Sequence, residues 1–459
     1  MELGFETIGN ATLVVHDDEP VLATDPWLDG PAYFGSWSLS HEVPEPQRRH
    51  VERAPNLWIS HAHPDHLSMP SLARLRGRRL LLADHVGGRM ARELCAAGFD
   101  VLVLPDRQWV PLSPRVRVLS LADYNQDSIL LVAAGDCLVV NVNDAGELGW
   151  GRLVRREITR HRVAFLLQLF EYGDADMIQL SDERGPILPY AARREPVGER
   201  ISQACARLGA RYAVPFSSMH RYQRADSVWA NQYTMAPEDF ARGFRSRTAS
   251  LLPPFIRYDC LRDEVSRIDP PARTPDILPS ETFGDTWADP LDADEARRVR
   301  AYVGAIEHLR GHFDVIAFRV GGVEHAIDVG RGTRRGLTFE APRHSLMKAI
   351  DARTFDDLLI GNFVRTTVHG PRTARSPLYP NFTPYVTKYA DNGDARTRDE
   401  LHAYFAAYRR RAPLEYFRHA VQAWAVDTAR ARLAPESRLH RAARGVYRAA
   451  RRRRVTACR

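Results

Sequence analysis

Residues 60–68 read Ser-His-Ala-His-Pro-Asp-His-Leu-Ser, directly after the apolar run Leu57-Trp58-Ile59. Three imidazoles and a carboxylate thus fall within six consecutive positions, in a chain that has 17 histidines among 459 residues. The apolar run predicts a buried strand, and a helix is expected to begin near Met69. A strand ending in this way presents polar side chains at the edge of a sheet. Imidazole nitrogen and carboxylate oxygen at that edge suit a first-row cation. The competing interpretation is a solvent-exposed histidine-rich turn, and the apolar flanks and tight spacing speak against it. The pattern predicts a metalloenzyme.

Composition narrows the class further. A chain of 459 residues is long enough for two or three domains, each with its own core. Hydrophobic residues at 44% and charged residues at 26% suit a globular protein. No run of eighteen apolar residues occurs, so no transmembrane segment is expected. Glu2, Glu6, Asp17, Asp18 and Glu19 argue against a secretory signal. Cys95, Cys137, Cys205, Cys260 and Cys458 are scattered and never form Cys-x-x-Cys, which predicts reduced thiols and a cytoplasmic location. The net charge of +7 is concentrated in Arg438–Arg459, which holds nine arginines and no acid. That tail is expected to be a solvated helix, the alternative being contact with an acidic partner, nucleic acid or an anionic membrane. The nearly neutral remainder makes no strong case for nucleic acid.

Runs such as Thr12-Leu13-Val14-Val15, Val116 to Leu121, Ser128 to Val132 and Cys137 to Val142 predict strands, with helices at Gly87 to Ala97 and Glu199 to Leu208. Helix-flanked, sandwiched sheets are the natural reading of this order. Prolines cluster between Leu252 and Pro275. The expected organisation is therefore a catalytic domain over 1–250, a Pro-rich linker over 251–292, a smaller α+β domain over 293–395 and a helical, Arg-rich tail over 396–459. Gly321-Gly322, between two alternating runs, predicts a hairpin.

The pattern His-x-His-x-Asp-His, after a strand and before a helix, resembles the metal-binding signature of the metallo-β-lactamase superfamily. The resemblance implies an α+β fold, an αββα sandwich, with His61 and His63 gripping one ion and Asp65 and His66 facing a second. Two such ions, roughly 3.5–4 Å apart, can share a bridging oxygen species. Asp65 and His66 are the expected catalytic pair. The resemblance further implies Asp144 as the bridging carboxylate and His220 as the last ligand. A histidine usual in the loop before Ser128 is missing, and Asp123 is the candidate substitute. Four imidazoles with three carboxylates would suit iron or manganese as well as zinc.

The resemblance extends beyond the motif. Asp25-Pro26-Trp27-Leu28-Asp29-Gly30-Pro31-Ala32, His41-Glu42, Val214-Pro215-Phe216, Phe355 to Gly361 and Tyr379-Pro380-Asn381-Phe382 are similar to the catalytic part of the CMP-N-acetylneuraminate hydroxylase family. That family draws electrons through a Rieske iron–sulfur domain, which needs two Cys and two His ligands. No cysteine here has a histidine two or three positions after it, so an electron-transfer module is expected on a separate reductase or ferredoxin. The resemblance implies a monooxygenase acting on a small polar, sugar-like or specialised metabolite with two divalent ions, Fe or Zn, Mn being possible. The alternative is a hydrolase cleaving an ester, amide or phosphodiester. A scaffold with a degraded site is a third reading, which the intact first cluster opposes.

Arg221, Tyr222 and Arg224 follow His220 and are expected to clamp an anionic substrate group. Asp25 is expected to orient a histidine of the cluster. His369 with Arg372 on a Gly/Pro loop, and Trp229 with Asn231, Gln232 and Tyr233, are weaker candidates for binding.

Overall fold

The computed structural model describes residues 2–432 apart from 124, 146–149, 171–176, 331, 333–334, 371–377, 379–380 and 387–392. Arg372 and the arginine-rich stretch after Arg432 therefore lie outside the described residues. The architecture is α+β. Two sheets pack face to face, and helices cover both outer faces.

The first sheet runs in the order Glu264–Arg267, Ile256–Asp259, Leu3–Ile8, Thr12–Asp17, Glu19–Thr24, Asn56–Ile59, Arg79–Ala83, Asp100–Leu104. It is antiparallel up to Glu19–Thr24 and parallel from there on. Parallel neighbours need crossovers, and helices Glu45–Arg53, Met69–Arg74 and Arg89–Ala96 supply them. In the second sheet Cys137–Asn143, Val163–Leu169 and Tyr212–Phe216 are likewise parallel, linked through helices Gly151–Ile158 and Gly198–Leu208.

Period-two alternation assigns each strand's side chains to opposite faces. Trp58 turns into the core between the sheets with Phe5, Leu81, Val132, Phe165 and Val214. Its neighbours Leu57 and Ile59 turn outward, against Val51, Leu72 and Leu94 of the covering helices. On the far side, Leu131, Val140 and Leu166 pack against Val154, Ile158, Ile201 and Leu208. These three apolar layers make the αββα sandwich anticipated from the histidine motif.

A third sheet forms the second domain, in the order Gly185–Ile187, Leu180–Asp182, Arg365–His369, Gly336–Glu340, Val315–Val320, Val323–Asp328. The hairpin at Gly321-Gly322 is present, with φ of 58° and 79° at the two glycines, as a tight turn of that hand requires. Two boundaries differ from the sequence expectation. Strands Leu180–Asp182 and Gly185–Ile187, inside the front segment, pair into the back sheet. Strands Ile256–Asp259 and Glu264–Arg267, in the proline-rich passage, extend the front sheet. Proline frequency does not reveal that short strands between turns find an open sheet edge.

The tail begins as two helices, Arg398–Arg411 and Pro413–Arg432. The first, opened by a Thr397/Glu400 capping box, docks on the front domain. Gln126 Nε2 donates to the hydroxyls of Tyr404 and Tyr408 at 3.1 and 3.2 Å. Among the described residues no helix is long and apolar enough to cross a membrane.

Glu6 tests the packing of the first sheet. It has no solvent exposure, and it pairs with His50 Nδ1 at 2.8 Å and Arg257 Nε at 2.7 Å. Burial alone would raise its pKa, but hydrogen bonds from His16, His50 and Arg257 hold it well below the ordinary value of 4.5. A carboxyl depressed in the folded state stabilises above its unfolded pKa and loses that contribution as pH falls. The stability difference between wild type and Glu6→Gln in urea unfolding is predicted to be full near pH 6 and to shrink below about pH 4.5. A difference that stays constant into strong acid would contradict this.

Candidate metal centre

Parallel strands point all their carboxyl ends one way, and clefts form outside those ends. Here both sheets direct them to one place. Asp25 follows Glu19–Thr24, His61 follows Asn56–Ile59, and His85 follows Arg79–Ala83. From the second sheet, Asp144 follows Cys137–Asn143, and Ser217 and His220 follow Tyr212–Phe216. His61, Asp65, His66 and His220 are buried, whereas His63, Asp127 and Asp144 are partly exposed at the mouth.

Each histidine of the cluster turns one nitrogen inward and has the other beside a carboxylate. His61 Nε2 and His63 Nδ1 face each other at 2.8 Å. His66 Nε2 lies 3.2 Å from Asp65 Oδ2 and 3.6 Å from Asp144 Oδ2, and Asp144 also reaches within 4.0 Å of His61 Nε2. On the outer side, His61 Nδ1 is 3.3 Å from Asp127, His66 Nδ1 is 3.0 Å from Asp25, and His63 Nε2 is 3.0 Å from Asp356. A carboxylate on the distal nitrogen fixes ring orientation and tautomer, leaving the inward nitrogen as a donor. Asp25 thus occupies the orienting position anticipated for it. Asp65 is itself held, by Tyr33 OH at 2.6 Å and Asn10 Nδ2 at 2.8 Å.

The charges follow from this crowding. Burial alone would depress His63, yet the hydrogen-bonded Asp356 and its neighbours push it up to about 10. Burial also disfavours the His66 cation, and Asp65, Asp144 and Asp25 overcome that to hold it well above its ordinary value. Asp65, which burial would raise, is brought down to about 2 by His66 and Tyr33. His61 is pushed well below the ordinary imidazole value by burial and by the neighbouring rings.

The donors present fit metal ions. His61, His66 and Asp144 bring ligand atoms within 4.8 Å of one another, and so do His63, Asp356 and Asp357. His220 is buried against the Trp37 ring, centroids 3.5 Å apart, with neither ring nitrogen hydrogen-bonded. Burial holds it neutral, with a pKa of about 3. An imidazole buried with both nitrogens unsatisfied costs about 1–3 kcal/mol unless something coordinates it. His85 is also buried, its pKa lowered to about 4 by burial against the opposing pull of a backbone hydrogen bond with Ser60, and it acts electrostatically on His61. Sequence reasoning passed over His85, although its place just beyond a parallel strand was an available signal.

Other expected site residues lie differently. Asp123 folds its own loop: Oδ1 accepts from the backbone N–H groups of Asn125 and Asp127. That turn brings Asp127 beside His61. Arg224, expected to clamp substrate, is instead fully buried between Asp226 and Asp285 at 2.9 and 2.7 Å, with its guanidinium 4.0 Å over the Phe363 ring. Tyr222, expected beside it, is also fully buried, and its hydroxyl accepts from Asn362. Both residues fasten the second domain to the first. A run of Arg and Tyr after a histidine reads the same whether it faces substrate or buried acids. Arg221 bonds Thr234 and remains within electrostatic reach of His220. Trp229 Nε1 donates to Asn362 O on the same seam, Asn231 binds the Tyr222 backbone, Gln232 Nε2 donates to Trp229 O and Tyr233 packs on Trp229. His369 pairs with Thr338 across the back sheet.

The αββα sandwich and the donor cluster at its strand ends define a metallo-β-lactamase fold with a candidate metal centre. No family model matches the chain. The chain is similar to the inactive cytidine monophosphate-N-acetylneuraminic acid hydroxylase of Homo sapiens, 32% identical over 138 residues, which is 28% of each protein. It therefore spans little more than a quarter of the length of that relative. Solved structures with some likeness include Igni18, a metallo hydrolase from Ignicoccus hospitalis (TM-score 0.36, 14% identity, covering 58% of this chain and 98% of that one). Another is CmlA, a diiron β-hydroxylase from Streptomyces venezuelae (TM-score 0.36, 14% identity, 58% and 54%).

Two substitutions test this description. Asp65→Ala removes an inward donor and is predicted to lower bound metal by one ion per chain in elemental analysis; unchanged metal content would contradict the assignment. Arg224→Ala leaves Asp285 as an uncompensated buried charge, and is predicted to cost about 3–5 kcal/mol in denaturant unfolding. A loss below about 1 kcal/mol, the range of exposed ion pairs, would count against the seam.

Proposed function

We propose that this chain is a dinuclear metal enzyme that hydroxylates a small polar or sugar-like metabolite. The observation that carries the reading is the donor set. Three inward imidazole nitrogens, from His61, His63 and His66, meet the Asp65 and Asp144 carboxylates, with unsatisfied His220 nearby. Mixed nitrogen and oxygen donors suit iron or manganese as well as zinc. The similarity to CMP-N-acetylneuraminic acid hydroxylases supports oxygenation, with substrate and reaction carried over as part of this proposal. When bound, a redox-active pair would supply electrons to dioxygen, and a redox-inert pair would supply Lewis acidity.

The chain's own residues do the positioning. Tyr33 and Asn10 hold Asp65 in one orientation, and Asp25 does the same for His66. Ser217 Oγ donates to Asp144 and lies 3.2 Å from His66 Nε2, a hydroxyl that helps hold these two donors in place. Asp357, whose pKa burial and the Asp356 charge raise well above the carboxylate range, lies beside Asp356 and His63. Arg221, at the edge of the site, supplies positive charge for an anionic substrate group. Electrons come from a separate reductase or ferredoxin.

A second reading is metal-dependent hydrolysis, favoured by one observation: no cysteine–histidine spacing for a Rieske centre occurs in the sequence. Metal identity and oxygen chemistry separate the two. Protein expressed with iron is predicted to hold two ions per chain, to absorb visibly and to take up oxygen on reduction. Colourless zinc protein that cleaves chromogenic esters or phosphodiesters, with no oxygen uptake in its iron form, would overturn hydroxylation.

A further inference from the structure

His61, His63 and His66 are oriented by carboxylates of different origin. Asp25 and Asp127 belong to the sandwich that carries the histidines. Asp356 lies on helix Phe355–Ile360 of the second domain, 293 residues from His63, and is itself buried. His63 is also the ring least held by packing. Its side chain is 25% exposed, against 5% for His61 and 0% for His66. A ring at the mouth has room to turn, so its hydrogen bond decides which nitrogen faces inward.

The helix is delivered to His63 by the seam just described. Arg224 is bound to Asp285, which also accepts from the Ser345 backbone N–H at 2.9 Å. Six residues beyond Asp356, Asn362 Nδ2 donates to Tyr222 OH at 2.8 Å, and Trp229 Nε1 donates to Asn362 O at 2.8 Å. Ser36 Oγ donates to Gly361 O. These contacts tie the C-terminal end of this short helix, and the helix Arg343–Ala352 before it, to the front domain and so place Asp356 against His63.

We propose that Asp356 is a positioning residue of the metal centre: by accepting from His63 Nε2–H it fixes the tautomer whose Nδ1 faces His61 Nε2, so that the second domain completes a site built in the first. The proposal rests on the dinuclear reading above and adds to it the residue that makes metal affinity depend on domain docking. In this proposal Asp356 acts through His63 rather than as a ligand in the trio it forms with His63 and Asp357, and loss of an ion at saturating zinc separates the two roles. Carboxylates in this role elsewhere typically change metal affinity by about 10–100-fold when removed.

The test is zinc titration of the full-length, chelator-stripped chain against a chromophoric competitor, with wild type, Asp356→Asn, Asp356→Ala, His63→Ala and the His63→Ala/Asp356→Ala pair. The proposal expects wild type to bind two ions and Asp356→Ala to weaken one of them by about 10–100-fold, still filling at saturating zinc. Asp356→Asn, isosteric and still able to accept, should fall between. The double variant should bind no more weakly than His63→Ala alone, because the effect passes through that ring. Melting of the metal-free proteins controls for folding, and Asp356→Asn carries the test should the alanine variant misfold. Wild-type-like affinity in both Asp356 variants would overturn the proposal. So would effects that simply multiply in the double variant, or outright loss of an ion at saturating zinc in Asp356→Ala. Each of these leaves the dinuclear reading standing, whereas a wild-type chain that takes up no zinc would remove that reading and this proposal together.

Discussion

An imidazole has two nitrogens, and a histidine serves as a ligand only when one is free and correctly aimed. In this protein the aiming is done by carboxylates: Asp127 behind His61, Asp356 behind His63 and Asp25 behind His66. Everything else in the fold is arranged so that these pairs meet. The parallel strands bring Asp25, His61 and His85 to adjacent ends of one sheet, and Asp144, Ser217 and His220 to the ends of the other. The apolar layers on either side of each sheet keep those ends in register.

Such a site is expensive to leave empty. Asp25, Asp65, Asp127, Asp144, Asp356 and Asp357 crowd around the imidazoles, several of them with almost no access to water. Buried carboxylates at this density need compensating positive charge. The same crowding raises the pKa values of His63 and His66 and, with burial, that of Asp357. Metal binding would displace protons from these rings, so affinity should strengthen with pH. His220 points the same way: stacked on Trp37, neutral and with no protein hydrogen bond to either nitrogen, it stands available to coordinate an ion.

Much of this was legible in the sequence because it is local. The histidine motif announces its own strand, turn and chemistry within nine residues, and Asp144 and His220 stand just beyond apolar runs that had to be strands. What was hidden depends on contacts distant along the chain. Nothing around Phe355-Asp356-Asp357 says that it meets His63, and nothing around Arg224 says that Asp285, 61 residues on, lies opposite. Asp127 reaches His61 through a turn set by two backbone hydrogen bonds to Asp123, which the spacing alone does not announce. The proline-rich passage misled for a related reason, since edge strands need only a few residues and an exposed neighbour. The domain seam is therefore the part that only three-dimensional structure reveals.

The central claim is that the inward nitrogens of His61, His63 and His66, with Asp65 and Asp144, hold a pair of cations. Anomalous diffraction from crystals grown with iron or zinc tests it most directly. The account predicts two peaks, one bounded by His61 Nε2 and His63 Nδ1 and the other by Asp65 and His66 Nε2, with Asp144 between them. Rings rotated apart with no peak among them, or a single peak elsewhere in the chain, would contradict it.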